Sequence, residues 1–249
     1  MRIVIVSDLH CGSEAGLAPF ATNKTQAQLY NRWADCIQHF GARPDLLIVN
    51  GDAVDGLQLK GRGRGDSDWA SKQIMDAATL LNMWLAKRIC MVSGTGYHTR
   101  AAQTVDFEEI LANQLRAEYH YKLNLEVSGW FRLQCRHKIG GSGIPHGRFT
   151  AQSRSKAWGV MNAAQAGGKP PHLSVFSHVH YWSYAEDAFG ATMTTPAWQG
   201  LGGYFGSTSC DGHVDVGACE IRVGKKEAEG WSWQKRLYPA AAADRSVKA

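Results

Sequence analysis

Ile3-Val4-Ile5-Val6-Ser7-Asp8-Leu9-His10 decides the fold class. Its apolar run reads as a short strand, and Asp-x-His follows at the strand's carboxyl end. The arrangement recurs along the chain. Leu46-Leu47-Ile48-Val49 leads into Gly51-Asp52-Ala53-Val54-Asp55, and Ile89-Cys90-Met91-Val92 leads into Gly94-Thr95-Gly96-Tyr97-His98. Pro145-His146-Gly147 and Ser177-His178-Val179-His180 complete the series. Open α/β sheets bind ligands outside the carboxyl ends of their strands. Carboxylates with imidazoles form a donor set suited to Mn2+, Fe2+ or Zn2+. Within a strand, residues i and i+2 share a face, so Asp8 and His10 are expected to reach one ion if strand geometry continues past Val6. His178 and His180 have the same spacing and could split between two ions.

Between these segments the pattern predicts helices. Leu29, Trp33, Ile37 and Phe40 recur at helical spacing over 23–40, with Asn23 or Thr25 as cap. Further helices are expected at 68–86 (Trp69, Ile74, Ala77, Leu81 and Leu85 inward), 104–116 and 150–166. Residues 119–144 alternate as antiparallel strands do, and strands near 172–176, 181–187, 190–195, 213–223 and 230–238 finish the pattern. The expectation is a single domain over 1–239 and a frayed tail over 240–249. Composition and periodicity alone define an α/β chain of one domain.

At 249 residues the chain can bury one sizeable core, and 44% apolar with 20% charged residues is a globular balance. No apolar stretch approaches the ~18 residues of a spanning helix, so a cytoplasmic protein with no membrane partner is expected. The six cysteines form no Cys-x-x-Cys pair, which argues against a structural zinc knuckle. A net charge of +5 favours anionic substrates. Lys60-Gly-Arg62-Gly-Arg64 concentrates that charge in a glycine-rich loop just after the second motif, where Arg62 and Arg64 are candidates to hold phosphate. Arg148, two residues after His146, is another. Trp198, after a strand end, is the preferred aromatic to wall a cleft and stack on a base.

The order Asp-x-His, Gly-Asp-x-x-Asp, Gly-Thr-x-x-His, His, Ser-His-x-His resembles the calcineurin-like metallophosphoesterase superfamily over Asp8 to His180. Two positions depart from it. Tyr97 is read as standing where the family has a metal-binding Asn, and Ser177 replaces a Gly. The Gly-Thr-x-x-His variant is similar to phage and prophage members, which would put the protein in a bacterial host's cytoplasm. The resemblance implies a four-layer α/β/β/α sandwich of two mixed sheets flanked by helices. It implies two divalent ions, Mn2+ first, with Zn2+, Fe2+, Ni2+ or Mg2+ as alternatives. Asp8, His10 and His180 would hold one ion, His146 and His178 the other, and Asp52 would bridge them. His98 would face substrate as the catalytic residue. Asp55 would order the loop or orient a ligand.

The implied activity is hydrolysis of phosphate esters by hydroxide activated between two ions, which would also clamp the attacking and leaving oxygens. A phosphodiesterase on a nucleotide or nucleic acid is favoured over a phosphoprotein phosphatase. Gly56-Leu57 stands where the protein-phosphatase branch carries Arg-Gly. The alternatives are a phosphomonoesterase, or a non-catalytic binding or scaffold protein on the same fold.

Overall fold

The computed structural model describes residues 1–56, 69–101, 105–201 and 214–239. In chain order the first elements are β1 (Arg2–Val6), α1 (Lys24–Phe40), β2 (Leu46–Asn50), α2 (Trp69–Asn82) and β3 (Ile89–Val92). A helical turn, α3 (Gly96–Thr99), the short strands β4 (Arg100–Ala101) and β5 (Val105–Asp106), α4 (Phe107–Leu115) and β6 (Glu118–His120) follow. Then come β7 (Leu123–Val127), β8 (Phe131–Cys135), a 3-10 turn (Pro145–Phe149), α5 (Thr150–Gln165) and β9 (Leu173–Phe176). The last strands are β10 (Ser183–Asp187), β11 (Gly190–Thr194), β12 (Val216–Val223) and β13 (Trp231–Tyr238).

The apolar runs of β1, β2 and β3 are continuous because both their faces are buried. They pair in parallel at the centre of a six-stranded sheet of order β13-β12-β1-β2-β3-β6. Val4, Val6, Leu47, Val49 and Met91 pack into a core with α1, α2 and α4. Ile3, Ile5, Leu46, Ile48, Cys90 and Val92 point the other way, into a core shared with the second sheet. That sheet has order β10-β11-β9-β8-β7 and is also mixed, with β8–β9 and β9–β11 parallel. On its outer face α5 is fastened by polar contacts. Gln152 Nε2 donates to Ser183 Oγ at 2.9 Å, and Lys156 Nζ donates to the Gly190 carbonyl at 3.1 Å. The result is the four-layer α/β/β/α sandwich.

Asn23 is the cap of α1, its side chain accepting from Gln26 N at 2.9 Å. The second helix stops at Asn82, short of the expected 86. The N–H groups of Met83, Trp84 and Leu85 each turn back three residues, and Trp84 fills the core position. Leu85 is therefore 59% exposed, not inward. Residues 57–68, which carry Lys60, Arg62 and Arg64, and the tail 240–249 lie outside the described residues.

A buried hydroxyl chain ties the two sheets together at the carboxyl ends of β1, β2 and β9. Ser7 Oγ lies 2.7 Å from Thr195 Oγ1, which lies 2.6 Å from Ser177 Oγ. Asn50 Nδ2 donates to that same Ser177 Oγ at 2.6 Å. This is the physical use of a serine at position 177: a glycine there would leave Asn50 and Thr195 without their shared partner.

Candidate metal centre

The strands end at Val6, Asn50 and Phe176, and the backbone turns sharply beyond them. Asp8, His10, Asp52, His178 and His180 have φ values of 52°, 46°, 52°, 72° and 55°. They are five of the nine non-glycine residues with positive φ among the described residues, so left-handed backbone is concentrated here. The expectation that strand geometry would aim Asp8 and His10 is thereby corrected. Left-handed turns aim them, held by inter-loop hydrogen bonds from Asp8 N to the Gly51 carbonyl (2.9 Å) and from His10 N to the Asp52 carbonyl (3.0 Å). Close approach demands glycine at two positions. A Cβ on Gly51 (φ 84°) would meet His137 Nδ1 at 2.4 Å, and one on Gly94 would meet Asp52 Oδ1 at 2.2 Å.

Three overlapping groups of donor atoms result: Asp8, His10 and His180; His10, Asp52 and His98; Asp52, His137 and His178. His180 Nε2 lies 3.1 Å from Asp8 Oδ1, and His137 Nε2 lies 2.9 Å from Asp52 Oδ2. The imidazoles are oriented from behind. His10 Nδ1 meets Asp55 Oδ1 at 3.0 Å. His137 Nδ1 and His98 Nδ1 each lie 2.8 Å from a backbone carbonyl, of Asn50 and Asp55 respectively. A carbonyl only accepts, so both rings carry their proton on Nδ1 and turn Nε2 the other way. Asp55 thus orients two of the site's histidines.

Burial and charge compete at every group. Burial pushes the Asp52 carboxyl up, but His137 more than offsets it and holds the group well below the usual carboxylate range. Asp8 behaves alike, brought down to about 2 by His180 and His137 against its burial. Burial pushes the His137 imidazole down, and Asp52 and Asp8 overcome this to raise it to about 10. His178 falls to about 4, through burial and then the nearby His137 charge. His98 is lowered by burial and by His10. Burial, reinforced by Asp52, raises Glu108 to about 8.

Asp8, His10, Asp52, His98, His178 and His180 thus come together. His146 does not join them: it is exposed on the 3-10 turn and belongs to none of the three groups. The histidine beside Asp52 and His178 is His137, because β8 pairs with β9 in parallel register, Cys135 opposite Val175. Two residues on, Ser177 N donates to the His137 carbonyl at 2.8 Å. From the third motif it is Thr95 that reaches His178, its hydroxyl 3.1 Å from Nδ1. Tyr97 is 52% exposed, and its ring lies 4.0 Å from that of His98. Trp198 walls no cleft. It is fully buried against Trp33, while its backbone N–H donates to the Asp8 carbonyl at 3.0 Å. Arg148 is half-buried, its guanidinium 4.6 Å from the Tyr181 ring centroid. A further donor group, Cys90, Glu118 and His120, lies on β3 and β6, but Arg88 holds both Glu118 oxygens at 2.7 and 2.8 Å.

Asp8 Oδ1, His10 Nε2, Asp52 Oδ2 and His137 Nε2 are buried and face other ligand-type atoms, His137 Nε2 standing against Asp52 Oδ2 and His180 Nε2 against Asp8 Oδ1. Buried carboxylate and imidazole atoms that converge on one another in this way fit divalent cations. A family model described as calcineurin-like phosphoesterase matches residues 1–209. No curated protein matches the chain by sequence. Similar solved structures include a novel archaeal phosphodiesterase, at 12% identity and TM-score 0.49 over 96% of this chain and 100% of that one. Vps29 of Chaetomium thermophilum is 11% identical, with TM-score 0.47 over 96% of this chain and 98% of that one. A predicted phosphoesterase from Streptococcus pneumoniae TIGR4 is 12% identical, with TM-score 0.39 over 90% and 83%. No helix among the described residues is long and apolar enough to cross a membrane.

Proposed function

From its place in the calcineurin-like phosphoesterase family, to which the chain belongs, we propose that it is a metal-dependent phosphodiesterase acting on a nucleotide or nucleic-acid ester. The observation that carries this is the convergence of three overlapping donor groups, two of which include Asp52, on buried carboxylate and imidazole atoms that face one another. Asp8, His10 and His180 would hold one ion, and His137 and His178 the other. Asp52 would be shared, since a carboxylate has two oxygens and a full charge. His137 takes the role that the resemblance implied for His146. When bound, the ions would lower the pKa of a water and stabilise charge on the phosphoryl oxygens.

His98 is the proton-handling residue in this reading. Its ring is held by the Asp55 carbonyl through Nδ1, and its lowered pKa keeps it neutral near pH 7. It is set to accept a proton released from the attacking water and to pass a proton to the departing oxygen as the P–O bond breaks. The exposed Tyr97 ring beside it offers a face for a base, which favours a nucleotide or nucleic-acid ester. The +5 net charge suits an anionic substrate.

The test is hydrolysis of matched mono- and diesters by the purified chain with Mn2+, Ni2+, Zn2+ or Mg2+. Metal-dependent turnover of the diester above the monoester is expected, with loss on chelation. A chain that binds no metal would contradict the reading. One observation favours the non-catalytic alternative: Tyr97, which the resemblance sets in place of the family's metal-binding Asn, is exposed, and only the Thr95 hydroxyl of this motif reaches His178. Two bound ions with no ester hydrolysed would establish that alternative.

A further inference from the structure

We propose that Glu108 is a positioning residue for the metal centre, clamping the loop after β2 to the loop after β3. The proposal rests on the metal-centre reading above and adds a residue outside the ligand set. Glu108 lies in the first turn of α4, which Asp106 caps by accepting from Glu108 N and Glu109 N. Its side chain enters the space between the two loops and is 0% exposed. Oε1 accepts from Ala53 N at 2.7 Å, and Oε2 accepts from Gly94 N at 2.7 Å. Ala53 follows Asp52, and Gly94 precedes Thr95, so each bond grips the backbone beside a residue that faces the site.

The geometry calls for a carboxyl group. Both partners are N–H donors, and only Asp or Glu can turn an acceptor lone pair on each of two oxygens toward them. Burial and the nearby Asp52 charge oppose ionisation of Glu108, and the two N–H bonds favour it. The same two loops are joined a second time by Asp52 itself, whose Oδ1 accepts from Thr95 N at 2.6 Å. The packing leaves no slack, because a single added carbon on Gly94 would lie 2.2 Å from Asp52 Oδ1. A small parting of the loops therefore passes directly to the Asp52 carboxylate and to Thr95 against His178.

Glu108→Gln keeps the shape, removes one acceptor and turns an NH2 onto an N–H. Mn2+ titration of the full chain, with Glu109→Gln on the exposed face of the same helix as control, reads the result. Glu108→Gln should bind its first Mn2+ as wild type does and its second ~10–100-fold more weakly, the scale for groups behind a ligand. On a bis(p-nitrophenyl) phosphate probe, kcat should fall with KM unchanged and recover at saturating Mn2+, a rescue that loss of fold would not allow. Both ions bound as in wild type, or lost activity that excess Mn2+ does not restore, would overturn the proposal. If wild type itself binds no Mn2+, the metal-centre reading fails and takes this proposal with it. If wild type binds two ions and Glu108→Gln is indistinguishable from it, only the Glu108 proposal fails. Should the variant not fold, the wild-type amide protons decide. Ala53 and Gly94 should both exchange slowly, and fast exchange at either contradicts the clamp.

Discussion

The two halves of the candidate centre differ in how firmly they are built. Asp8, His10 and His180 are sealed, with the two imidazole side chains only 3% exposed and the carboxylate at 0%. In the other half His137 is equally buried, but the His178 side chain is 27% exposed and 4.0 Å from Asp52 Oδ2. The sealed half draws on loops next to the central parallel strands β1 and β9. The open half needs β8 to deliver His137 and the β3 loop to deliver Thr95. Burial desolvates donors and makes an ion the best available partner, so the sealed half should bind more tightly. The open half, one neutral oxygen short, should bind more weakly and be emptied first.

The largest effect is expected where the halves share a residue. Asp52→Ala should reduce turnover to background and weaken both ions, because two cations would face each other without the shared anion. Near-normal turnover, assayed with Mn2+ in excess, would put the chemistry elsewhere. Next comes the pair His137→Ala and His146→Ala. The first should weaken the second ion and cut kcat by ~10²-fold or more, since even groups behind a ligand cost 10–100-fold. The second should leave metal content and rate unchanged, and the reverse pattern would show that His146 moves in to ligate. His98→Ala should lower kcat by ~10²-fold, the scale of proton-transfer assistance, with both halves still loaded. Loss of an ion in that variant would make His98 a ligand.

A smaller effect separates the halves by pH in the metal-free protein. His137 has its folded pKa raised to about 10 from an ordinary 6.5. Its contribution is fully present below the unfolded value of about 6.5 and is lost as pH rises through about 10. Thermal melts of chelated protein should therefore show stability declining from pH 7 to 10, with a shallower decline in His137→Ala. An ion on His137 must displace its proton, so Mn2+ affinity should rise over the same range. A flat melting profile in chelator would contradict the ion-paired His137.

Much of the fold was readable because its strands are short apolar runs with one meaning. The parallel centre, the Asn23 cap and the helices at 24–40, 107–115 and 150–165 all lie within a few residues of where periodicity puts them. The site was readable where a motif sits directly after a strand. His137 was missed although it obeys the same rule, coming two residues after the alternating Phe131, Leu133 and Cys135 of β8. Pro145-His146-Gly147 fits the order of motifs on which the resemblance rests, yet it stands on an exposed 3-10 turn. What decides between them is strand register, Cys135 opposite Val175, and register is a pairing between distant segments that one sequence does not display. Glu108 was invisible for a similar reason, since nothing local distinguishes it from the exposed Glu109. Trp198 misled because its strand-end position suggested a wall, while packing against Trp33 makes it a buried support for the Asp8 loop.

The central claim is that two cation sites share Asp52 and that His137 completes the weaker one. Anomalous scattering from crystals of the chain grown with Mn2+ tests it most directly. Two peaks are predicted, one among Asp8, His10 and His180 and one against His137 and His178, with Asp52 touching both. A single peak away from Asp52, or a second peak ligated by His146 instead of His137, would contradict it.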